Sequence, residues 1–421
     1  MNKLVYVAVL TLLLPTMSIY GQVTLEECQQ KAQQNYPLVK QYSLIEKSKD
    51  YTLSNAGKGY LPQLSLSAKA SYQSDVTEIP IKLPGMEIDG LRKDQYLATL
   101  ELNQVIWDGG SIHAQKTIAK ANSGVENKKL DVDMYALNDR VNQLFFGILL
   151  MDAQLEQNTL FQQELQRNHL QVSAYVENGI ANQADLDAVK VEQLNTIQKR
   201  CEMEASRKAY REMLSAMIGM RLNENTTFVE PGNKQSLVSN EINRPELSLF
   251  AEQDVLLNAQ YRQLQAKNLP KLGLFVQGSY GNPGLNMLKN EFAPYYIAGV
   301  RLSWNFGNLY TKKNESRLID INRDNIKVQK ETFLFNTNLQ VTQGNTEVEK
   351  LMQLMKEDNE IIRLRGSIKA SAEAKVANGT LTVTEMLREV TAEDQAKQNK
   401  SLHKVQLLMA IYNLKNITNN P

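Results

Sequence analysis

The sequence predicts an α+β membrane protein with an internal duplication. Long coiled-coil hairpins would build a helical barrel, and four short strands per chain would contribute to a β-barrel. Three observations carry this reading. An apolar leader opens the chain, two proline-free stretches can each hold a helix of roughly 100 Å, and one pattern of strands and turns occurs twice.

Residues 1–21 have the layout of a secretory signal peptide. Lys3 supplies the charge, Leu4 to Leu14 form an apolar run too short for a bilayer, and small or polar residues lead to Gly21, where cleavage is expected. Cys28 lies too far along for a lipoprotein anchor. The longest later apolar run, Phe145 to Met151, has seven residues, so no second transmembrane helix is expected. Hydrophobic residues make up 42% of the chain and mean hydropathy is −0.40. An exported chain this polar stays in the periplasm or crosses a membrane as strands. The net charge of +1 gives no pull toward nucleic acid. Cys28 and Cys201 are too few for a disulfide framework and are read as isolated thiols packed in helices.

The duplication divides the chain into a first repeat, 22–230, and a second, 231–421. Asn35-Tyr36-Pro37 matches Asn243-Arg244-Pro245, and Leu61-Pro62-Gln63-Leu64 matches Leu269-Pro270-Lys271-Leu272, both 208 residues later. Beyond Tyr280 the offset falls to 200: Tyr96 matches Tyr296, Leu102 matches Leu302, and Asn178-Gly179 matches Asn378-Gly379. A length change between Tyr280 and Tyr296 marks surface loops there and at 74–93, which are expected to be extracellular.

Strands are expected at about 61–74, 94–106, 270–281 and 293–305. Each alternates with period two, as in Leu64, Leu66, Ala68 and Ala70 against Ser65, Ser67, Lys69 and Ser71. Each has about the ten residues a tilted strand needs to cross a bilayer, with tyrosines near its loop end. A small soluble hairpin with one wet face would alternate in the same way. Four strands cannot close a spanning barrel, because open edges are not tolerated in lipid. The chain must then oligomerise, and a conducting pore requires three or more copies.

Helices are expected at about 110–178, 183–219, 308–378 and 382–418. Leu130, Met134, Leu137, Val141, Leu144, Ile148, Met151 and Leu155 step by 4 and 3 in turn, a coiled-coil seam, and Phe145 and Leu149 add a second one. The second repeat carries two stripes, Ile319, Ile326, Phe333 and Ile321, Val328, Phe335. Two seams on one helix ask for a neighbour on each side. Asn178-Gly179 and Asn378-Gly379 end the long legs, glycine suiting the left-handed residue after a helix.

With these parts in this order, the chain resembles the TolC-like outer-membrane efflux protein family over essentially the whole length after the leader. The carriers are Leu25-Glu26-Glu27-Cys28 with Ala32 and Asn35-Tyr36-Pro37, the Leu-Pro-x-Leu strand starts, Trp107-Asp108-Gly109-Gly110, and Glu177-Asn178-Gly179 with Ala184-Asp185-Leu186. The resemblance implies a homotrimer with a twelve-stranded barrel in outer-membrane lipid and a long periplasmic helical barrel. It implies a passive exit duct in a tripartite efflux system, coupled through a periplasmic adaptor (membrane fusion) protein to an inner-membrane transporter of RND or ABC type. Adaptor-contact tips would be Gly179, Ile180, Ala181 and Gly379, Thr380, Leu381, with Asp185 and Glu385 lining the aperture. This chain departs from the best-studied members in the second tip, where Val376, Leu381 and Arg388 replace a tyrosine, an arginine and an aspartate.

Nothing in the sequence suggests an enzyme, a cofactor or a metal site. His113, His169 and His403 are scattered and read as solvated, and Asp152 and Glu156 are read as a solvated helix face. The methionines fall mostly in apolar stripes, such as Met134 and Met151, and read as core. A type I protein-secretion duct or a metal-ion efflux duct would share these features. A periplasmic coiled-coil scaffold with small hairpins is the alternative from another class.

Overall fold

The computed structural model describes residues 22–76, 91–232, 241–287 and 289–420. The expected signal peptide and most of the first expected loop lie outside them. The described chain forms β1 (Gln22–Val23), α1 (Leu25–Asn35), α2 (Lys40–Gly57), β2 (Gln63–Tyr72), β3 (Asp94–Trp107), α3 (Ser111–Tyr135), α4 (Leu137–Glu177), α5 (Gln183–Ile218), β4 (Thr227–Phe228), α6 (Pro245–Lys267), β5 (Lys271–Asn282), β6 (Ala293–Ser303), α7 (Asn308–Ala377) and α8 (Val383–Thr418). Two compact units result, and each draws on both halves of the sequence. Among the described residues, the helical unit takes 22–39, 134–232, 241–243 and 336–420; the sheet unit takes 40–76, 91–133, 244–287 and 289–335.

In the sheet unit the strands are antiparallel in the order β2-β3-β5-β6. The duplication is exact in register: Leu64 pairs with Leu102 in the first hairpin, and their counterparts Leu272 and Leu302 pair in the second. The first leg, read from sequence as one helix over 110–178, is instead α3 and α4, parted at Ala136. Ala136 keeps helical angles, φ −61 and ψ −16, so this is a local interruption of the ladder. The second leg is one helix of 70 residues.

In the helical unit, Phe145, Phe146, Ile148, Leu214 and Phe228 form the centre of a core together with Leu25, Cys28 and Val405. Phe145 meets Phe146 and Phe228 edge to face at centroid distances of 6.0 and 5.4 Å. The seam residues Leu130 to Ile148 are all buried, while Met151 and Leu155 are half-buried. Burial and the carboxylate of Glu27 push the Cys28 thiol up to about 12. Cys201 is exposed, contrary to the reading of two packed thiols.

The Asn-x-Pro motif has the same task in both repeats. Proline drives the preceding Tyr36 to extended angles and so ends α1. The Asn35 amide donates to the carbonyls of Ala216 and Met217, both at 3.1 Å, closing the end of α5 beside the left-handed Gly219. Asn243 does this for α8: its backbone N–H donates to Thr418 O at 2.8 Å, and left-handed Asn419 donates to Asn243 O at 2.6 Å. The short helices α1, α2 and α6 were not read from the sequence.

Candidate functional site

The two Asn-Gly turns belong to the helical unit and are built alike. Gly179 and Gly379 take φ of +73° and +68°, with nothing within 4 Å of where a Cβ would stand. Side chains with a Cβ avoid this region because of backbone clash, not crowding. Each glycine N–H donates to Val176 O or Val376 O, at 3.1 and 2.9 Å, and Asn178 and Asn378 donate to Ala174 O and Ala374 O. These bonds satisfy the last helical carbonyls.

Gly179, Ile180, Gly379 and Thr380 are exposed, whereas Ala181 and Leu381 turn partly inward. Both pack on one apolar cluster formed by Phe161, Leu165, Val172, Val189, Val376, Val383 and Val390, so the two turns share a core. Of the three departures seen in the sequence, Val376 and Leu381 are a member and a neighbour of that cluster, while Arg388 is exposed beside Glu389.

Asp185 and Glu385 are the N3 residues of capping boxes. Asp185 N–H donates to Asn182 Oδ1 at 3.0 Å, and Asn182 N–H returns a bond to Asp185 Oδ2 at 3.2 Å. Thr382 N–H and Oγ1–H both donate to Glu385 Oε2, at 3.1 and 2.9 Å. The backbone bond first, and then the hydroxyl, hold Glu385 below the usual carboxylate range. Each carboxylate therefore starts its own helix, using one oxygen of the pair.

A charged network absent from the sequence reading lies on the same hairpins. Lys369 of α7 binds Glu164 of α4 at 2.5 Å and Glu393 of α8 at 2.6 Å, and Lys397 also binds Glu393 at 2.9 Å. Burial opposes the charge on Glu393, but the two lysines outweigh it and its pKa falls. Burial also opposes the charge on Lys369, yet its two carboxylates raise its pKa. Next door, burial raises Asp394 against the bonds from Gln157 and Gln398. His403 is not solvated as expected; its Nδ1 lies 2.8 Å from buried Asp358. Asp152 also departs from the solvated reading, pairing with Arg207 at 3.2 Å and Arg211 at 3.6 Å.

The sheet unit has one apolar and one polar face, fixed by the register. Leu64, Leu66, Leu100, Leu102, Leu274, Val276, Val300 and Leu302 lie on the first, and all are exposed. On the other face stand Ser65, Ser67, Lys69, Thr99, Glu101, Gln277, Ser279 and Arg301. The buried strand residues are Thr99, Ser279, Gly281 and Asn282, with Thr99 Oγ1 and Ser279 Oγ 3.0 Å apart. Tyr72, Tyr96, Tyr280 and Tyr296 gather at one end of the strands, and Trp107 and Trp304 stand at the other. The outer edges of β2 and β6 have no strand partner among the described residues. No described helix is long and apolar enough to cross a membrane, which says nothing of these strands.

The pattern of the family described as "Outer membrane efflux protein" matches residues 29–220. Among solved structures, the chain is similar to the outer-membrane channel OprN, with a TM-score of 0.69, 12% identity and coverage of 94% of this chain and 90% of that one. It is similar to the outer membrane protein VceC from Vibrio cholerae, at a TM-score of 0.66 and 12% identity over 94% and 95% of the two chains. The Campylobacter jejuni outer membrane channel CmeC gives 0.64 and 12% over 94% and 85%. No curated protein matches the sequence. The family pattern thus covers 29–220, and the TolC-like fold of these outer-membrane channels is shared along 94% of the chain.

Proposed function

We propose that the chain is the outer-membrane channel subunit of a tripartite efflux system, a passive exit duct for drugs or other toxic solutes. The observation that carries this reading is the inverted sheet, which exposes its leucines and valines and buries a threonine and a serine. Water gives no reason for such an arrangement, but lipid does. Trp107 is eleven residue steps beyond Tyr96, and at about 3.3 Å each and a tilt near 45° they cover roughly 25 Å, the height of a barrel's apolar band. The open edges of β2 and β6 call for further copies, and three would give twelve strands. The periplasmic end would dock through Gly179-Ile180 and Gly379-Thr380 onto an adaptor protein linked to an inner-membrane transporter of RND or ABC type. Ala181 and Leu381 would support these turns from within. Asp185 and Glu385, fixed by their capping boxes, would present rings of like charge at the aperture.

Gly379→Val tests the reading. A β-branched residue resists φ of +68°, so the turn must distort while the sheet unit is untouched. The expected result is a detergent-extracted trimer in normal amount and at least a tenfold loss of efflux, on the order of 1.4 kcal/mol or more of lost coupling. Normal export by this variant overturns the tip assignment. A monodisperse monomer in mild detergent, or extraction into salt buffer alone, overturns the duct and favours a periplasmic scaffold.

A further inference from the structure

The polar face of the sheet is not electrically balanced. By register, its charged strand residues are Lys69, Glu101, Lys271 and Arg301, an excess of two positive charges per chain. The apolar face has one charge, Asp94, at a strand end.

The single acid is already engaged. Arg301 reaches from β6 across β5 to Glu101 on β3, with Nη1 3.1 Å from Oε1, and donates to Asn103 Oδ1 at 3.4 Å. Its path is cleared by small residues. Gly273 stands opposite Arg301, and the Phe275 ring lies over Gly299, where a Cβ would meet it at 3.0 Å. The guanidinium stacks on that ring, 4.6 Å from its centroid. Arg301 is thus laid flat on the wall with its charge largely offset by Glu101. Lys69 and Lys271 are exposed, and neither forms an ion pair with a described residue. Lys271 and Arg301, together with Asn103 and Ser303, line a cavity of about 430 Å³ where the strands meet α2 and α3; Asp108 also lines it, its carboxylate taken up by the N–H groups of Gly110 and Ile112 at 2.9 and 2.6 Å.

We propose that the barrel lumen prefers anionic solutes, with Lys69 and Lys271 as its specificity-determining residues and the cavity beside Lys271 and Arg301 as the place where an anion dwells. This rests on the duct reading, which turns the polar face inward. Like charges repeated around a narrow lumen raise the local concentration of counter-ions. The preference opposes that of the acidic rings proposed at the aperture, so the two ends would sort charge differently.

The test is ion selectivity in planar bilayers, from reversal potentials in a low-salt KCl gradient. Asp185→Asn/Glu385→Gln channels serve as the background, which removes the acidic rings. Chloride is expected to permeate better than potassium. Adding Lys69→Gln and Lys271→Gln should lower the chloride-to-potassium ratio by about two- to threefold, and Glu101→Gln should raise it. The preference should fade in 1 M salt, where charges are screened within about 3 Å. Channels that conduct yet prefer potassium in this background, or whose ratio ignores the two lysines, overturn the proposal and leave the duct standing. A parent protein that forms no conducting pore overturns the duct itself.

Discussion

Helix α4 and the four-stranded sheet use apolar residues in opposite ways. Along α4, Val141, Leu144, Phe145 and Ile148 are buried within the chain. On the sheet, Leu66 is 75% exposed and Val300 65%, while Thr99 and Ser279 are buried. Apolar side chains of the same kinds, set three or four apart on the helix and two apart on the strands, therefore meet protein in one unit and no part of the chain in the other. The difference teaches that the helical unit carries its own core, whereas nothing within the chain covers the apolar face of the sheet, which the proposed duct would turn to lipid.

The largest effect is expected where the chain supplies the whole environment. Phe145→Ala removes a side chain at 0% exposure and leaves its T-shaped partners facing a cavity, at a cost of about 3–5 kcal/mol. Denaturant unfolding followed by helical circular dichroism would measure it. A loss below about 1 kcal/mol would show that this core is not self-contained.

The sheet sharpens the contrast through neighbouring residues on opposite faces. Val276→Arg places a charge on the apolar face and should cost roughly 2–4 kcal/mol per chain, seen as loss of assembled trimer from the outer-membrane fraction. Gln277→Arg faces Glu101 across the ladder and should assemble within about 1 kcal/mol of the parent. Equal tolerance of the two would break the claim that the faces meet different media.

The smallest effects are electrostatic and have opposite signs at adjacent residues. The Asp394 pKa is raised in the fold, so its stabilising share is present below the unfolded carboxylate pKa and lost as pH rises through the folded one. Asp394→Asn should therefore stabilise the helices at neutral pH, with the gain vanishing in acid. The Glu393 pKa is lowered, so its share is present above the unfolded pKa and lost as pH falls through the folded one. Glu393→Gln should destabilise at neutral pH, and the difference should fade on acidification. Urea midpoints followed from about pH 7 to pH 3 would check both signs; parallel pH curves would contradict the network around Lys369.

Much of this was legible from local pattern. The alternation of Leu64 to Tyr72 fixed two faces, and the 4-3 spacing from Leu130 to Ile148 located a seam that is buried throughout. The positive φ of Gly179 and Gly379 follows from their place after a helix. What escaped was long-range or masked by composition. Nothing local marks Lys369 as the partner of Glu164, 205 residues away, or His403 as the partner of Asp358. The Asn-x-Pro motif was visible as a repeat, but its role required seeing Asn35 at the end of α5.

The second stripe of α7 marks the boundary between the two kinds of knowledge. Sequence alone determined that Ile319, Ile326, Phe333 and Ile321, Val328, Phe335 form two apolar lines, because helical periodicity sets which residues share a face. Only the tertiary structure decided that the first line is half-buried, with Phe333 6.0 Å from Phe250, while the second stays exposed. Periodicity is a property of the backbone and its spacing, so it can be read along the chain. What covers a face depends on elements brought there from far away, and burial is settled only by that meeting.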